Sequence, residues 1–370
     1  MTSADDPLKT LPSLSFSRYL RLKRCLLSGA ALTQNGAWRG MRPPRVRAQV
    51  LGDIFHEVMA GINSLPSTSL SQGDFRTQFN AVVSQTHAKI ASSPSSRHLG
   101  DPSHWPELVD LYRRLADVVE MRRTLEWGVG ISTHAERKLT SRDGLLWGQV
   151  DAYFMSPEGI DLVDYKSGAI LEDDEPKRDY GDQLYFYAYL IHDIYEYYPR
   201  SLSLVGRDGG TVQVPPSPAR SLALANDVRA TLARYNDLVS RARPLEELAN
   251  PSSEACLFCD RKAICNKFWS AVPLLSIPQW NHVAIGMQAT PLMRTPRGAG
   301  WLDLAVEKSS LATQMLKVTR LFEQRFPAID LEHRVGQRLL FTGLRQANAA
   351  NPAIVEATER TAIVCLGATS

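Results

Sequence analysis

The spacing of apolar residues divides the chain into zones. Val50, Ile54, Val58 and Ile62 recur at helical steps. Helices are expected over 14–28, 45–63, 74–91 and 105–125, with loops at 32–44, 64–72 and 92–104, where Ser, Pro and Gly gather. The period then shortens. Runs 132–140, 145–155 and 160–165 read as strands, the first two joined by a turn at Ser141–Gly144 and the next by Ser156–Gly159. An acidic loop spans 171–178, and an aromatic-rich helix over 179–198 should be buried. A hairpin follows at 202–205 and 211–214 around Asp208-Gly209-Gly210, then a long helix over 217–247. Beyond a Pro-bearing linker at 271–281 come short strands at 283–287, 301–306, 315–321, 335–343 and 361–366.

This order predicts an α/β unit over 13–270, a mixed sheet flanked by helices with a helical N-terminal part. A small β-rich unit over 282–370 should follow, either an OB-like barrel or a sandwich. The length of 370 residues agrees with two units. With 44% hydrophobic and 22% charged residues, the chain reads as a soluble globular protein. No apolar run approaches the roughly 18 residues of a membrane span, and the start lacks a secretory signal, so a cytoplasmic location without membrane contact is expected.

Charge is uneven. Residues 1–50 carry nine Lys or Arg against Asp5 and Asp6, which suits phosphate contact or a solvated basic face. Residues 151–199 carry twelve acids against three bases, a repulsion that a divalent cation relieves. Asp151 follows one apolar strand, Asp164 the next, and Lys166 lies two residues on, on the same strand face as Asp164. If the strands pair, the acids converge. Carboxylates that hold a hard cation, beside a lysine, suit phosphodiester hydrolysis. A lone D-x-K is weak, but His56 lies upstream after Gly52, Glu136 on the preceding strand, and Gln183 and Tyr187 at i, i+4 spacing downstream.

The cysteines form a second constellation. Cys256, Cys259 and Cys265 make a C-x2-C-x5-C run that needs a fourth ligand, for which Cys25 is the candidate. Four thiolates without His fit a structural Zn2+ site or a 4Fe–4S cluster. Cys365 reads as an ordinary buried cysteine.

The ordered set Gly52/His56, Gly148-Gln-Val-Asp151, Val163-Asp164-Tyr165-Lys166-Ser167-Gly168 and Gln183/Tyr187 resembles the PD-(D/E)xK nuclease superfamily. It is most similar to the RecB-like branch, which includes the AddB nuclease domain and the CRISPR-adaptation nucleases. The resemblance covers about residues 13–268. It implies a restriction-endonuclease-like core and a DNA nuclease using Mg2+ or Mn2+. Asp151, Asp164, His56 and the Tyr165 carbonyl would be metal ligands, Lys166 the catalytic lysine, and Gln183 and Tyr187 contacts to site and DNA strand. Glu136 matches loosely and its role stays open. One subgroup has a Cys in the first helix and three after the core, holding a 4Fe–4S cluster. That implies Cys25, Cys256, Cys259 and Cys265 as cluster ligands here, although Leu26 stands where Pro usually follows the first Cys. The expected activity is exonucleolytic, on single-stranded DNA ends, in repair, recombination or phage defence; the alternative is a scaffold that binds ends without cutting. No P-loop motif occurs, so a helicase partner would be a separate polypeptide. The last unit would bind a partner or single-stranded nucleic acid, using Arg297, Arg320, Arg325, Arg334, Arg338 and Arg345 with Phe322, Phe326 and Phe341.

Overall fold

A computed structural model describes residues 8–30, 45–64, 71–93, 96–124, 132–166, 168–206, 210–241, 245–257, 259–262, 265–296, 298–322, 326, 330–348 and 350–366. The expected loop at 32–44 with Arg39 and Arg42, most of the loop at 64–72, Asp208 and Gly209, Ser167, Arg297 and Arg325 lie outside the described residues.

The helical periods of the N-terminal zone form α3 (Arg47–Ser64), α4 (Gln72–Ser92) and α5 (Pro106–Thr124). Ser71 caps α4 through a reciprocal box with Asp74. The first expected helix is broken: β1 (Leu14–Ser15), α1 (Phe16–Arg24) and α2 (Leu26–Gly29). Cys25 interrupts it with extended backbone, φ −162° and ψ 119°. The alternating zone forms β2 (Ser132–Thr140), β3 (Leu146–Ser156) and β4 (Gly159–Lys166). The acidic loop folds into a small hairpin of β5 (Leu171–Glu172) and β6 (Glu175–Pro176), turning through Asp173 and Asp174 at positive φ. Then come α6 (Arg178–Tyr195), β7 (Ser201–Gly206), β8 (Thr211–Val214) and α7 (Pro218–Ser240), the last shorter than expected.

β1, β3, β4, β7 and β8 lie side by side, with β2 on β3. β1–β3 and β4–β7 are parallel, while β2–β3, β3–β4 and β7–β8 are antiparallel. On one face α1, α6 and α7 bury Phe16, Phe186, Leu190 and Leu232 against Leu146, Val150, Ile160 and Leu162. On the other α3, α4 and α5 bury Ile54, Val58, Phe79 and Leu115 against Ala152, Phe154 and Tyr165. This is the expected mixed sheet flanked by helices.

The cysteine stretch forms α8 (Ser253–Leu257) and α9 (Asn266–Ala271). After it come β9 (His282–Gln288), β10 (Met293–Arg294), β11 (Gly300–Ser309), β12 (Met315–Leu321), β13 (Arg338–Gln346) and β14 (Ile354–Leu366). The order β9-β11-β12-β14-β13 returns to β9, so the sheet closes as a barrel, with β12–β14 its parallel pair. A closed five-stranded barrel of this connectivity is the OB arrangement rather than a sandwich.

Two expectations about surfaces change. Phe326 and Phe341 were expected as stacking surfaces, yet both are buried in the barrel core, Phe341 because barrel strands turn alternate residues inward. In the basic N-terminal segment, Arg21, Lys23, Arg24, Arg45 and Arg47 are held in ion pairs. Arg21, Lys23 and Arg24 fasten α1 to Asp260, Asp227 and Asp179. Among the described residues, no helix is long and apolar enough to cross a membrane.

Candidate active site

β3 is bordered unevenly. Its whole length pairs with β2, from Ser132↔Met155 to Thr140↔Trp147. Its other edge is shared: β1 takes Leu146 and Trp147, and β4 takes Ala152 to Ser156. The sheet forks across the intervening Gly148–Asp151. One step past the Ala152↔Val163 pair, Asp151 lies opposite Asp164. There the Asp151 Oδ2 accepts the main-chain N–H of Tyr165 at 2.7 Å.

Glu136 falls opposite Asp151 in the β2–β3 register, between Ala135↔Ala152 and Arg137↔Val150. Its φ of +47° is left-handed backbone that a non-glycine residue rarely adopts. Gln149 donates to the Glu136 carboxylate at 2.5 Å. From α3, His56 Nδ1 lies 3.6 Å from Asp151 Oδ2 and 3.9 Å from Glu136 Oε1. One ligand atom from each of His56, Glu136 and Asp151 lies within 4.8 Å of the others. The expected trio had Asp164 in place of Glu136. The signal for Glu136 was present: counting outward from the Ser141–Gly144 turn sets it against Asp151.

Asp164 forms the other half of the site. Its side chain is 1% exposed, with Lys166 Nζ 2.5 Å from Oδ2. Lys166 donates to Gln183 Oε1 at 2.8 Å, and Gln183 donates to the Tyr187 hydroxyl at 2.7 Å. The Lys166 ammonium also sits over the Tyr180 ring, 4.7 Å from its centroid, a contact with no motif signal in the sequence. Tyr165 packs its ring edge-on against Phe55 at 5.9 Å.

The electrostatics are those of an under-neutralised cluster. Burial, then the neighbouring Asp164 charge, holds the Asp151 carboxyl well above its usual range. Burial likewise raises Asp164, against the pull of Lys166, and raises Glu136, against its bond from Gln149. Burial, then Lys166, lowers His56, which favours a neutral imidazole able to ligate. Burial pushes the Tyr187 phenol up, helped by Asp164. Three carboxylates thus face one ammonium, and the buried Asp164 is charge-paired with Lys166. Carboxylate oxygens with one imidazole suit a hard divalent cation such as Mg2+ or Mn2+.

The four expected cysteines also meet. Cys25, Cys256, Cys259 and Cys265 line one small cavity with Ser28, Arg261 and Lys262. Main-chain N–H groups of Asn250, Arg261 and Phe268 point at the sulfurs of Cys25, Cys259 and Cys265 at 3.3–3.4 Å. Lys262 is 7% exposed and donates to the Leu257 carbonyl at 3.0 Å; burial pulls its pKa down to about 8, while Cys259 and Cys256 oppose that shift. Cys365 is half-buried on β14 and packs against the barrel core.

No curated protein matches the chain. A solved structure titled "Crystal structure of SSO0001" is 13% identical, covering 59% of this chain and 95% of its own, with a TM-score of 0.26. That likeness is too slight to carry a structural argument. The family match is broader: the PD-(D/E)XK nuclease superfamily is matched over residues 13–266. With that match spanning most of the chain, and Asp151, Asp164 and Lys166 gathered where its sheet forks, the chain belongs to the PD-(D/E)XK nuclease superfamily of metal-dependent phosphodiester hydrolases.

Proposed function

We propose that this protein is a Mg2+- or Mn2+-dependent deoxyribonuclease of the RecB-like branch that trims single-stranded DNA ends. The observation that carries the reading is the fork itself, where His56, Glu136 and Asp151 converge beside the Asp164–Lys166 pair. His56, Glu136 and Asp151 would hold the cation, with Asp164 and the Tyr165 carbonyl as further oxygen donors. A cation there supplies Lewis-acid polarisation of the scissile phosphate and acidifies a water. Lys166, fixed by Asp164 and Gln183, orients the attacking water and steadies the charge that develops on phosphate. Gln183 and Tyr187 keep that ammonium aimed and touch the DNA strand.

The four cysteines would hold a 4Fe–4S cluster, for which their shared cavity, the N–H donors and buried Lys262 are suited. Its role would be mechanical. Cys25 lies more than two hundred residues before Cys256, so the cluster would close a very long loop. Strand separation would come from a separate helicase. The preference for single-stranded ends rests on the resemblance of the motif set.

The test is cleavage of end-labelled single- and double-stranded DNA by anaerobically purified protein, with Mn2+, Mg2+ or EDTA. Metal-dependent shortening of the single strand is expected, lost by at least about 10²-fold in Lys166→Ala and Asp164→Ala. Unchanged cleavage by both variants would refute the assignment.

A further inference from the structure

The barrel has two unlike outer faces. On β9 and β13, the outward residues Val283, Ile285 and Leu340 are packed against Phe268, Trp269 and Val272 of the cysteine segment. That face is spent on joining the barrel to the rest of the chain. On β10, β11 and β12 the outward residues remain accessible. Met293 and Met315 are each 46% exposed. Met293 pairs with Trp301, whose indole lies under the Lys317 ammonium at 4.1 Å.

The backbone is bent to serve the same face. The β11–β12 register shifts between Gly300↔Leu321 and Leu302↔Val318, which leaves one extra residue in β12. Arg320 sits in that bulge with φ +57°. Leu316, Val318 and Leu321 point into the barrel core, so a regular strand would aim residue 320 inward too. The bulge instead turns Arg320 outward to Glu356, at 3.3 Å. Arg345 grips the same carboxylate at 2.5 Å. Two guanidinium groups on one carboxylate leave a positive charge, and Lys317, with Asp303 opposite it in register, leaves that excess in place. Asp303, opposite Lys317 in register, forms no ion pair with it among the described residues.

We propose that this β10–β11–β12 face binds single-stranded nucleic acid. An unpaired base stacks on Trp301, displacing the Lys317 ammonium to a flanking phosphate, while Arg320 and Arg345 contact the backbone. A duplex keeps its base faces stacked within and offers nothing to the indole. The inference extends the reading of the chain as a DNA nuclease but needs no cleavage, so the two fail separately.

The experiment uses the full chain carrying Lys166→Ala, so that DNA survives, and measures binding of a labelled 20-mer of dT and of a 20-base-pair duplex by anisotropy. Trp301→Ala and Lys317→Glu should each weaken dT binding about tenfold or more, with duplex binding within about twofold of the parent and Trp301→Phe retaining most dT affinity. Thermal melts accompany each variant; should Trp301→Ala fail to fold, the exposed Lys317→Glu decides. Unchanged dT affinity in the folded variants overturns the proposal and leaves the face to a protein partner. Equal losses for dT and duplex overturn it as well, since they mark general charge attraction.

Discussion

The Asp151 carboxylate takes the Tyr165 main-chain N–H at the step where β3 and β4 part, so one side chain both closes the sheet's fork and faces His56. This double duty has a thermodynamic consequence. A carboxyl whose pKa is raised on folding favours the folded state while protonated. That benefit is complete below its ordinary value of 3.8 and is lost as pH rises through the raised folded value. Ionised Asp151 is therefore destabilising at neutral pH without a cation.

Asp151→Asn keeps an acceptor for the Tyr165 N–H and removes the charge. In metal-free protein at pH 7.5 the variant should melt higher than wild type, by about 2–4 °C for each kcal/mol relieved. The gap should close as pH approaches 4. Saturating Mn2+ should reverse the order, since wild type then gains about 2.7 kcal/mol at a hundredfold excess over Kd. Melting curves with EDTA and with Mn2+ at several pH values check this; a variant less stable than wild type in EDTA at pH 7.5 would sink it.

Gly148 and Tyr187 belong to separate motifs yet form one contact. A Cβ on Gly148 would stand 2.5 Å from Tyr187 Cε1, within the packing of α6 on β3. Tyr187 supports Gln183, and Gln183 supports Lys166. Gly148→Ala should push the ring away and mis-aim the lysine. Activity should fall by about 10²-fold, because small misplacements at a reacting centre are that costly. Cation binding by His56, Glu136 and Asp151 should change little. Cleavage rates and Mn2+ titration of the same sample separate the two effects, and a fully active variant would dismiss the linkage.

The sequence carried the fold where periods were strong. Val50, Ile54, Val58 and Ile62 marked α3, and the alternating runs marked β2 to β4. It failed where tertiary contacts override local pattern. The break of the first helix at Cys25 is such a case, since the contacts that turn its sulfur inward, the distant cysteines, Leu248 and Asn250, come from far along the chain. Phe341 was assigned to a surface because a lone strand does not reveal which face meets the core. Within the site, His56, Asp151, Asp164, Lys166, Gln183 and Tyr187 were picked out by the motif resemblance, and the fold sets them around one fork. Glu136 needed the register, and Tyr180 needed the turn of α6.

Tyr180 sits between two cations, with Lys166 4.7 Å and Lys177 5.7 Å from its ring centroid. Its ring positions the Lys166 ammonium from the side left open by Asp164 and Gln183. Cation–π contacts are worth about 0.5–2 kcal/mol, so Tyr180→Leu should lower kcat roughly 2- to 30-fold with KM nearly unchanged. Tyr180→Phe keeps the ring and should stay within about twofold of wild type. A fall in Tyr180→Phe equal to that in Tyr180→Leu would assign the effect to the hydroxyl instead.

The cysteine site makes the last prediction. Burial raises the thiols of Cys256, Cys259 and Cys265, and an empty, protonated pocket there gives no attraction between segments distant in sequence. A bound iron–sulfur cluster would tie α1 to α8 and α9 and withdraw a loop of more than two hundred residues from the unfolded ensemble. Cys25→Ala and Cys256→Ala should therefore bleach the brown protein, lose iron and lose about 2–5 kcal/mol, the range of a native cross-link. Cys365→Ala should keep colour and iron. Elemental analysis of anaerobically prepared protein, with visible spectra and urea melts, checks each point. Zinc in place of iron would overturn the cluster, and a colourless Cys256→Ala variant as stable and active as its parent would overturn the staple.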